Sequence, residues 1–347
     1  YFNYDPASLI TELLKEYKRV GVVSGRSAIF KTGFKELLDD CLKQKELFYF
    51  SEVEENPSIN TIIKGGRFLS KHGCEVVIGF GGGSSLDATK AMAFFASNRG
   101  GFYELLNAEE YESPLPVIAI PTTCGTGSEV NNYCIITDAE KVDKVNFAKE
   151  ETFPRSALLF PELLKTLPKD TLLATTIDAF SHAFEGFISK RANPFSDEIA
   201  KVAMKNILTI LKNYETTGEF DYGLALYSSS LAGGVILHTG TTLLHALGYY
   251  LTNVKNIHHG VANGLLLEKY CNILSNEKVV KYEYVEKLIE NIGLDFFGFL
   301  RKNIGDFSKS VVFEERENEK FVNYAISKKN TEFTPFEVSY PKVIKYF

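Results

Sequence analysis

The chain has 347 residues, 45% apolar and 24% charged, which is the mix of a globular protein long enough for two domains with their own cores. A formal charge of -6 argues against a nucleic-acid partner, and no run of about 18 uncharged apolar residues is present to span a membrane. The five cysteines (Cys41, Cys74, Cys124, Cys134, Cys271) are odd in number and lack CxxC spacing, and Tyr1 to Arg19 has no apolar signal-peptide region, so core cysteines and a cytoplasmic location are expected.

The first half alternates strands and helices. Arg19 to Gly25 is an apolar run ending in glycine, and Phe34 to Lys45 reads as a helix. Leu47 to Phe50 is a second strand, Ile59 to His72 a helix, and Cys74 to Phe80 a third strand. Leu86 to Ser97 is again helical, followed by a strand from Pro116 to Ile120. Such alternation predicts βαβ units and a parallel sheet covered on both faces, with ligands beyond the carboxyl ends of its strands.

Two loops lie at such ends. After the third strand, Gly81, Gly82 and Gly83 let the backbone turn tightly, Ser84 is placed to cap the next helix, and the exposed N–H groups suit a pyrophosphate. This is not the dinucleotide fingerprint, because a third glycine at the expected step and an acidic residue about 20 positions later are both missing. A ligand-free tight turn is the plain alternative. After the next strand, Pro121 to Glu129 is rich in hydroxyls, and Thr122, Thr123, Thr126 and Ser128 are candidate ligand contacts. Lys144 falls in a charged turn, solvated or within reach of a ligand.

From about Pro161 the strand signals stop, so we expect an α/β domain over residues 1–160 and an all-helical domain over 161–347. Leu173, Ile177, Phe180, Phe184 and Phe187 recur at helical spacing and form a buried stripe. On a neighbouring face Asp178 and His182 stand one turn apart, either as a hydrogen-bonded pair or as two metal ligands. Ile199 to Tyr214 and Leu224 to Leu237 read as further helices, and the Lys- and Glu-rich run Phe313 to Lys329 as a solvated helix face and loop. His238, His245, His258 and His259 crowd the middle of this half. His245, read as ending a helix, and His259, read as preceding a glycine-marked turn, could converge on the Asp178/His182 face. Three imidazoles and a carboxylate would hold a borderline divalent ion such as Fe(II) or Zn(II).

Gly81-Gly82-Gly83-Ser84 with Asp87 and Lys90, Pro121 to Glu129, Asp178-x-x-x-His182, and His245 followed by His259-Gly260 occur in the same order as in the iron-containing alcohol dehydrogenases. The chain resembles that family over nearly its whole length. The resemblance implies a Rossmann-like nucleotide-binding α/β domain and an all-α metal-binding domain. It assigns Asp178, His182, His245 and His259 as metal ligands, with His258 as a neighbour, and its motifs take in Gly81, Gly82, Gly83, Ser84, Asp87, Thr122, Thr123, Thr126 and Ser128 as candidate nucleotide contacts, to which Lys144 is added from its position alone.

Two departures from the family pattern matter. Many members carry another histidine four residues after the third ligand; here it is Tyr249, a phenol in place of a proton relay. Members that use NAD often have an Asp after the first strand, where this chain has Gly25-Arg26-Ser27; a small residue leaves room for a 2′-phosphate that Arg26 could pair, so NADP is preferred over NAD. The implied activity is hydride transfer between NADP(H) and a small alcohol/aldehyde pair, a primary alcohol or diol, in a possible homodimer. Glycerol-1-phosphate or glycerol dehydrogenases and maleylacetate reductase are the alternatives within the superfamily, and a nucleotide-binding regulatory protein is the alternative outside enzymes.

Overall fold

The computed structural model describes residues 1–141 and 143–347, which form two compact units. The first comprises Tyr1–Thr123 and Ser128–Leu167; the second comprises Cys124–Gly127 and Pro168–Phe347. The division therefore falls at Leu167–Pro168 rather than at residue 161. Leu163 is the reason: it is buried in the core of the first unit together with Leu158 and Phe160.

The first unit runs α1 (Pro6–Leu13), β1 (Arg19–Gly25), α2 (Ala28–Lys31), α3 (Phe34–Cys41), β2 (Glu46–Val53), α4 (Ile59–Lys71), β3 (Val76–Gly81) and α5 (Gly83–Ser97). It continues through α6 (Phe102–Asn107), β4 (Val117–Pro121), β5 (Ile135–Asp138), β6 (Asp143–Asn146) and β7 (Ser156–Ala157). Strands β2-β1-β3-β4-β7 form one sheet, parallel throughout. Every residue of β3 and β4 is buried, as expected of strands covered on both faces. On one face Ile62, Leu69, Met92 and Phe94 pack against Val23 and Val77; on the other Ile10, Ile29, Phe34 and Leu38 pack against Val22, Ile78 and Phe80. Each such side chain contributes roughly 1.5–3 kcal/mol by leaving water. Lys144 pairs with Thr137 in the antiparallel β5–β6 hairpin, so it belongs to a strand and not to a turn.

The second unit is helical: α7 (Lys169–Ile188), α8 (Pro194–Thr217), α9 (Tyr222–Thr239), α10 (Leu243–Val254), α11 (His259–Asn276) and α12 (Val280–Ile292), then α13 (Phe296–Asn303), α14 (Phe307–Ser310), α15 (Glu317–Ile326) and α16 (Tyr340–Val343). Helix α8 shows how the sequence sets its own ends. Asn193 accepts from the N–H groups of Phe195 and Ser196, Pro194 opens the first turn, and Gly218 closes the helix in a left-handed conformation. In α15, Phe321, Val322 and Ala325 face the core, so the charged run is only partly a solvated face.

Helix α7 is the axis of this unit. All residues from Leu172 to Ile188 are buried, because α8, α9 and α11 pack around it. The predicted apolar stripe is there, and so is burial on the remaining faces. Thr176 and Ser181 satisfy themselves on carbonyls one turn back, those of Leu172 and Ile177. Asp178, His182 and Glu185 share that burial and find partners outside the helix, as described below.

The segment Cys124–Gly127 is held against this helical unit by close backbone approach. Gly127 has φ +58°, and a Cβ there would meet the Ser229 carbonyl and the Gly233 backbone; a Cβ on Gly233 would meet the Gly127 carbonyl. Because backbone is the obstacle on both sides, Gly233→Ala should destabilise the protein by about 1–3 kcal/mol, read as a lowered thermal midpoint. An unchanged midpoint would show that the segment is not held there.

Candidate metal centre and nucleotide loops

Asp178 and His182 come from α7, one turn apart. His245 is the third residue of α10, and His259 is the first of α11. Both histidines therefore begin helices; neither ends one, and Gly260 lies inside α11 and not in a turn. The reason is space. A Cβ on Gly260 would run into the Ala174 carbonyl, so glycine lets the first turn of α11 sit directly on α7.

Each imidazole has its Nδ1 committed. His182 Nδ1 lies 3.2 Å from the Gly125 carbonyl oxygen, which can only accept. His245 Nδ1 bonds the carboxylate of Glu185. His259 Nδ1 lies 3.3 Å from Thr252 Oγ1, whose own proton goes to the Gly248 carbonyl at 3.0 Å. All three rings thus carry the proton on Nδ1 and present Nε2 as a lone pair. Asp178 Oδ1 and the ligand nitrogens of His245 and His259 lie within 4.8 Å of one another, and His182 joins through its Nε2, 2.9 Å from that of His245.

Two lone pairs facing each other at 2.9 Å repel unless something positive stands beside them. The nearest positive character is the Asn263 amide, whose Nδ2 is 2.8 Å from Asp178 Oδ1, 3.2 Å from His245 Nε2 and 3.3 Å from His259 Nε2. Its Oδ1 is buried without a partner, against the place where a Cβ on Gly248 would lie. A cluster of acceptors with outward-anchored rings fits a divalent cation of the Fe(II) or Zn(II) type. Charge agrees, since the buried carboxylates of Asp178 and Glu185 together balance two positive charges.

The ionisation pattern is consistent. Burial would raise Asp178, but the imidazoles of His182, His259 and His245, once they are protonated in acid, and the Asn263 amide hold it well below the usual carboxylate range. Burial lowers His182, keeping it neutral. Glu185 is opposed by burial yet held low by His245 and Thr242. The Tyr249 ring stacks on His259 (5.7 Å, 16°) and meets His245 edge-on (6.3 Å, 77°). Burial raises its hydroxyl above the ordinary range against a hydrogen bond from Asn330, so it stays a phenol.

Glu185 and Asn263 are the residues that the sequence analysis did not assign. A signal existed for both. Glu185 is three residues after His182 and Asn263 is four after His259, each on the ligand-bearing face of its helix. His258 caps α11 beside the cluster with its Nδ1 buried and without a partner, and His238 is exposed next to Phe195.

In the first unit the strand order reverses between β1 and β3, which sets their carboxyl ends at a topological switch point. Gly25, Arg26 and Ser27 follow β1, with Arg26 and Ser27 exposed; Gly81, Gly82 and Gly83 follow β3. Gly81 has φ +140°, and a Cβ there would strike Ser85. Helix α5 starts at Gly83 with Gly82 as its cap, so Ser84 lies inside the first turn and does not cap it; its Oγ accepts from the Asn56 N–H at 3.2 Å.

Asp87 and Ser128 are engaged inside the unit. Ser128 Oγ donates to Asp87 Oδ1 at 2.5 Å, Ile135 N–H to Oδ2 at 2.9 Å, and the buried Lys90 ammonium lies 3.3 Å from the same carboxylate. Lys90 also donates to the Ser128 and Asn131 carbonyls, pinning the start of the loop after β4. Thr122 is buried, with its N–H on the Gly81 carbonyl, and Thr123 lies against Gly82. Lys144 Nζ donates to Asn56 Oδ1 at 2.7 Å. Thr126 belongs to the helical unit, half-buried.

The chain thus carries a parallel sheet with a glycine loop at its switch point, and a helical unit in which three Nδ1-anchored imidazoles and a carboxylate are grouped. Residues 1–161 match the iron-containing alcohol dehydrogenase family, and residues 172–297 match the C-terminal domain of the Fe-containing alcohol dehydrogenase family. The chain belongs to the iron-containing alcohol dehydrogenase family.

It is 36% identical over 220 residues to a 1-propanol dehydrogenase of Salmonella typhimurium, a match covering 63% of this chain and 56% of that relative. An iron-containing alcohol dehydrogenase of Thermotoga maritima, solved by crystallography, superposes with a TM-score of 0.85 at 35% identity, covering 98% of this chain and 92% of that one. The sulfoacetaldehyde reductase of Bifidobacterium kashiwanohense, solved with NAD+, superposes with a TM-score of 0.88 at 25% identity, covering 99% and 94%. Among the described residues, no helix is long and apolar enough to cross a membrane.

The ligand assignment makes a direct prediction. His259→Ala or Asp178→Asn should lower divalent-metal affinity by more than about 100-fold, beyond the effect of removing an outer partner, as measured by chelator competition. Wild-type affinity in both variants would remove them from the ligand set.

Proposed function

We propose that the protein transfers a hydride reversibly between a nicotinamide dinucleotide and a small alcohol/aldehyde pair, with Asp178, His182, His245 and His259 holding a divalent ion. The observation that carries this reading is the grouping of the His245 and His259 Nε2 atoms with the Asp178 carboxylate, with His182 Nε2 beside that of His245, in a chain of this family. A divalent ion bound there supplies Lewis acidity toward a substrate oxygen. Glu185, the Gly125 carbonyl and Thr252 hold the three rings in register for it. Tyr249 lays its ring along His259 and, as a phenol, is able to give a hydrogen bond to a substrate oxygen.

Gly81, Gly82 and Gly83 at the start of α5 offer N–H groups and the positive helix end to a pyrophosphate. Beyond β1, Arg26 is exposed and no acidic side chain stands at Gly25, Arg26 or Ser27, which supports NADP. The NAD+ bound to the Bifidobacterium reductase weighs toward NAD. We favour NADP on the residues present. The substrates named for the relatives, 1-propanol and sulfoacetaldehyde, support a short-chain alcohol or aldehyde.

The test is turnover of primary alcohols, diols and matching aldehydes with NADP and NAD, on protein stripped of metal and reloaded anaerobically with Fe(II) or Zn(II). Metal-dependent turnover is expected; none with any pairing would overturn the reading. Arg26→Ala should cut kcat/KM for NADP by at least about tenfold, the worth of one charge-assisted contact, and leave NAD within about twofold. A wild-type preference for NAD would reject the Arg26 assignment alone. Tyr249→Phe should keep metal affinity and lower kcat if the phenol handles the substrate proton; unchanged kcat would leave the ring as packing only.

A further inference from the structure

We propose that Glu185 is a positioning residue that sets the tautomer of His245, and that its carboxylate, beyond its shape, is what makes His245 a ligand. The proposal rests on the metal-site reading above. Glu185 is fully buried on α7, one turn beyond His182. Its two oxygens do different work. Oε1 accepts the Thr242 N–H at 2.8 Å, the Thr242 hydroxyl at 2.6 Å and the His245 N–H at 3.3 Å. Oε2 faces His245 Nδ1. The Thr242 hydroxyl is itself supported by the buried Tyr270 hydroxyl at 2.7 Å, so a chain of donors ends on Oε1.

This asymmetry separates charge from shape. Three donors at Oε1 leave no place there for an amide NH2, because donor would meet donor. A glutamine at 185 therefore keeps its carbonyl at the Oε1 position and turns its NH2 toward His245 Nδ1. Nδ1 must then accept, and the ring proton moves to Nε2, the atom that faces His182 Nε2, Asp178 and Asn263. A protonated Nε2 has no lone pair for a metal. The glutamine side chain has the shape of the glutamate it replaces, and yet His245 ligates only at the cost of moving its proton back to Nδ1 against the amide NH2. A role limited to packing or to bracing the start of α10 predicts no such cost.

The experiment uses the full chain in wild-type and Glu185→Gln forms. In metal-free wild-type protein at pH 8, long-range ¹⁵N–¹H correlation should show His245 protonated on Nδ1, its signals identified by their loss in His245→Asn. In Glu185→Gln the proton should sit on Nε2, and Zn(II) affinity by chelator competition should fall about 10–100-fold, the range for an outer partner of a histidine ligand. The visible spectrum of the Co(II)-loaded form should change as the His245 ligand is weakened, while far-UV circular dichroism is retained. An Nε2-protonated His245 in the wild type would overturn the proposal whether or not the variant folds. So would a Glu185→Gln protein that binds Zn(II) as tightly as wild type with the same Co(II) spectrum. If wild-type protein binds no metal while His245 is Nδ1-protonated, the metal-site reading fails and the tautomer assignment stands.

Discussion

An imidazole has two nitrogens, and in its neutral form one must donate and the other accept. For three rings to offer lone pairs to one point, each must have its other nitrogen tied to an acceptor. Here the acceptors are of three kinds: the carbonyl of Gly125, the carboxylate of Glu185 and the hydroxyl oxygen of Thr252. Much of the local architecture of the helical unit serves to put them there. Gly127 and Gly233 allow backbone to approach backbone so that the Gly125 carbonyl reaches His182. Thr252 uses its proton on the carbonyl of Gly248, one turn back, which leaves its oxygen to accept.

Such a cluster is costly inside a helix buried on every side. An unpaired carboxylate or imidazole in the middle of α7 would lose solvation with no compensation. The arrangement avoids that by giving almost every polar atom near the ligands a partner. The Asn263 Oδ1 is an exception, and it belongs to the side chain whose nitrogen stands among the ligand atoms. The surrounding core of Phe180, Phe184, Tyr270 and Phe296 supplies the apolar area that fixes α7 among its neighbours. Rigid packing there holds the ligand atoms in place, since a close-packed interior deforms little.

The α/β unit solves a different problem. Its sheet needs no polar residue in β3 or β4. Lys90 is a buried cation beside it, tying the carbonyls of Ser128 and Asn131 to the Asp87 carboxylate. Asp87 and Ser128 thus shape the loops that flank the glycine turn, and a ligand at that turn is met first by backbone N–H groups. Position and chemistry are divided: the Lys90–Asp87 ion pair sets the loop, and the half-buried backbone at Gly82 and Gly83 is left to face a ligand.

By itself the sequence determined the parallel strands, the helical second half, the Asp178–His182 pair and the glycine turn. Those features follow from local periodicity and from contacts within one turn, which neighbouring residues decide among themselves. Only the tertiary structure decided that His245 and His259 begin helices, that Ser84 leaves capping to Gly82, and that Lys144 is in a strand. Each depends on which backbone comes close: the first turn of α11 on Ala174, and β6 on β5. Glu185 and Asn263 stayed hidden for the same reason. Their residue types are ordinary in helices, and their roles exist only where α7, α10 and α11 meet, tens of residues apart along the chain.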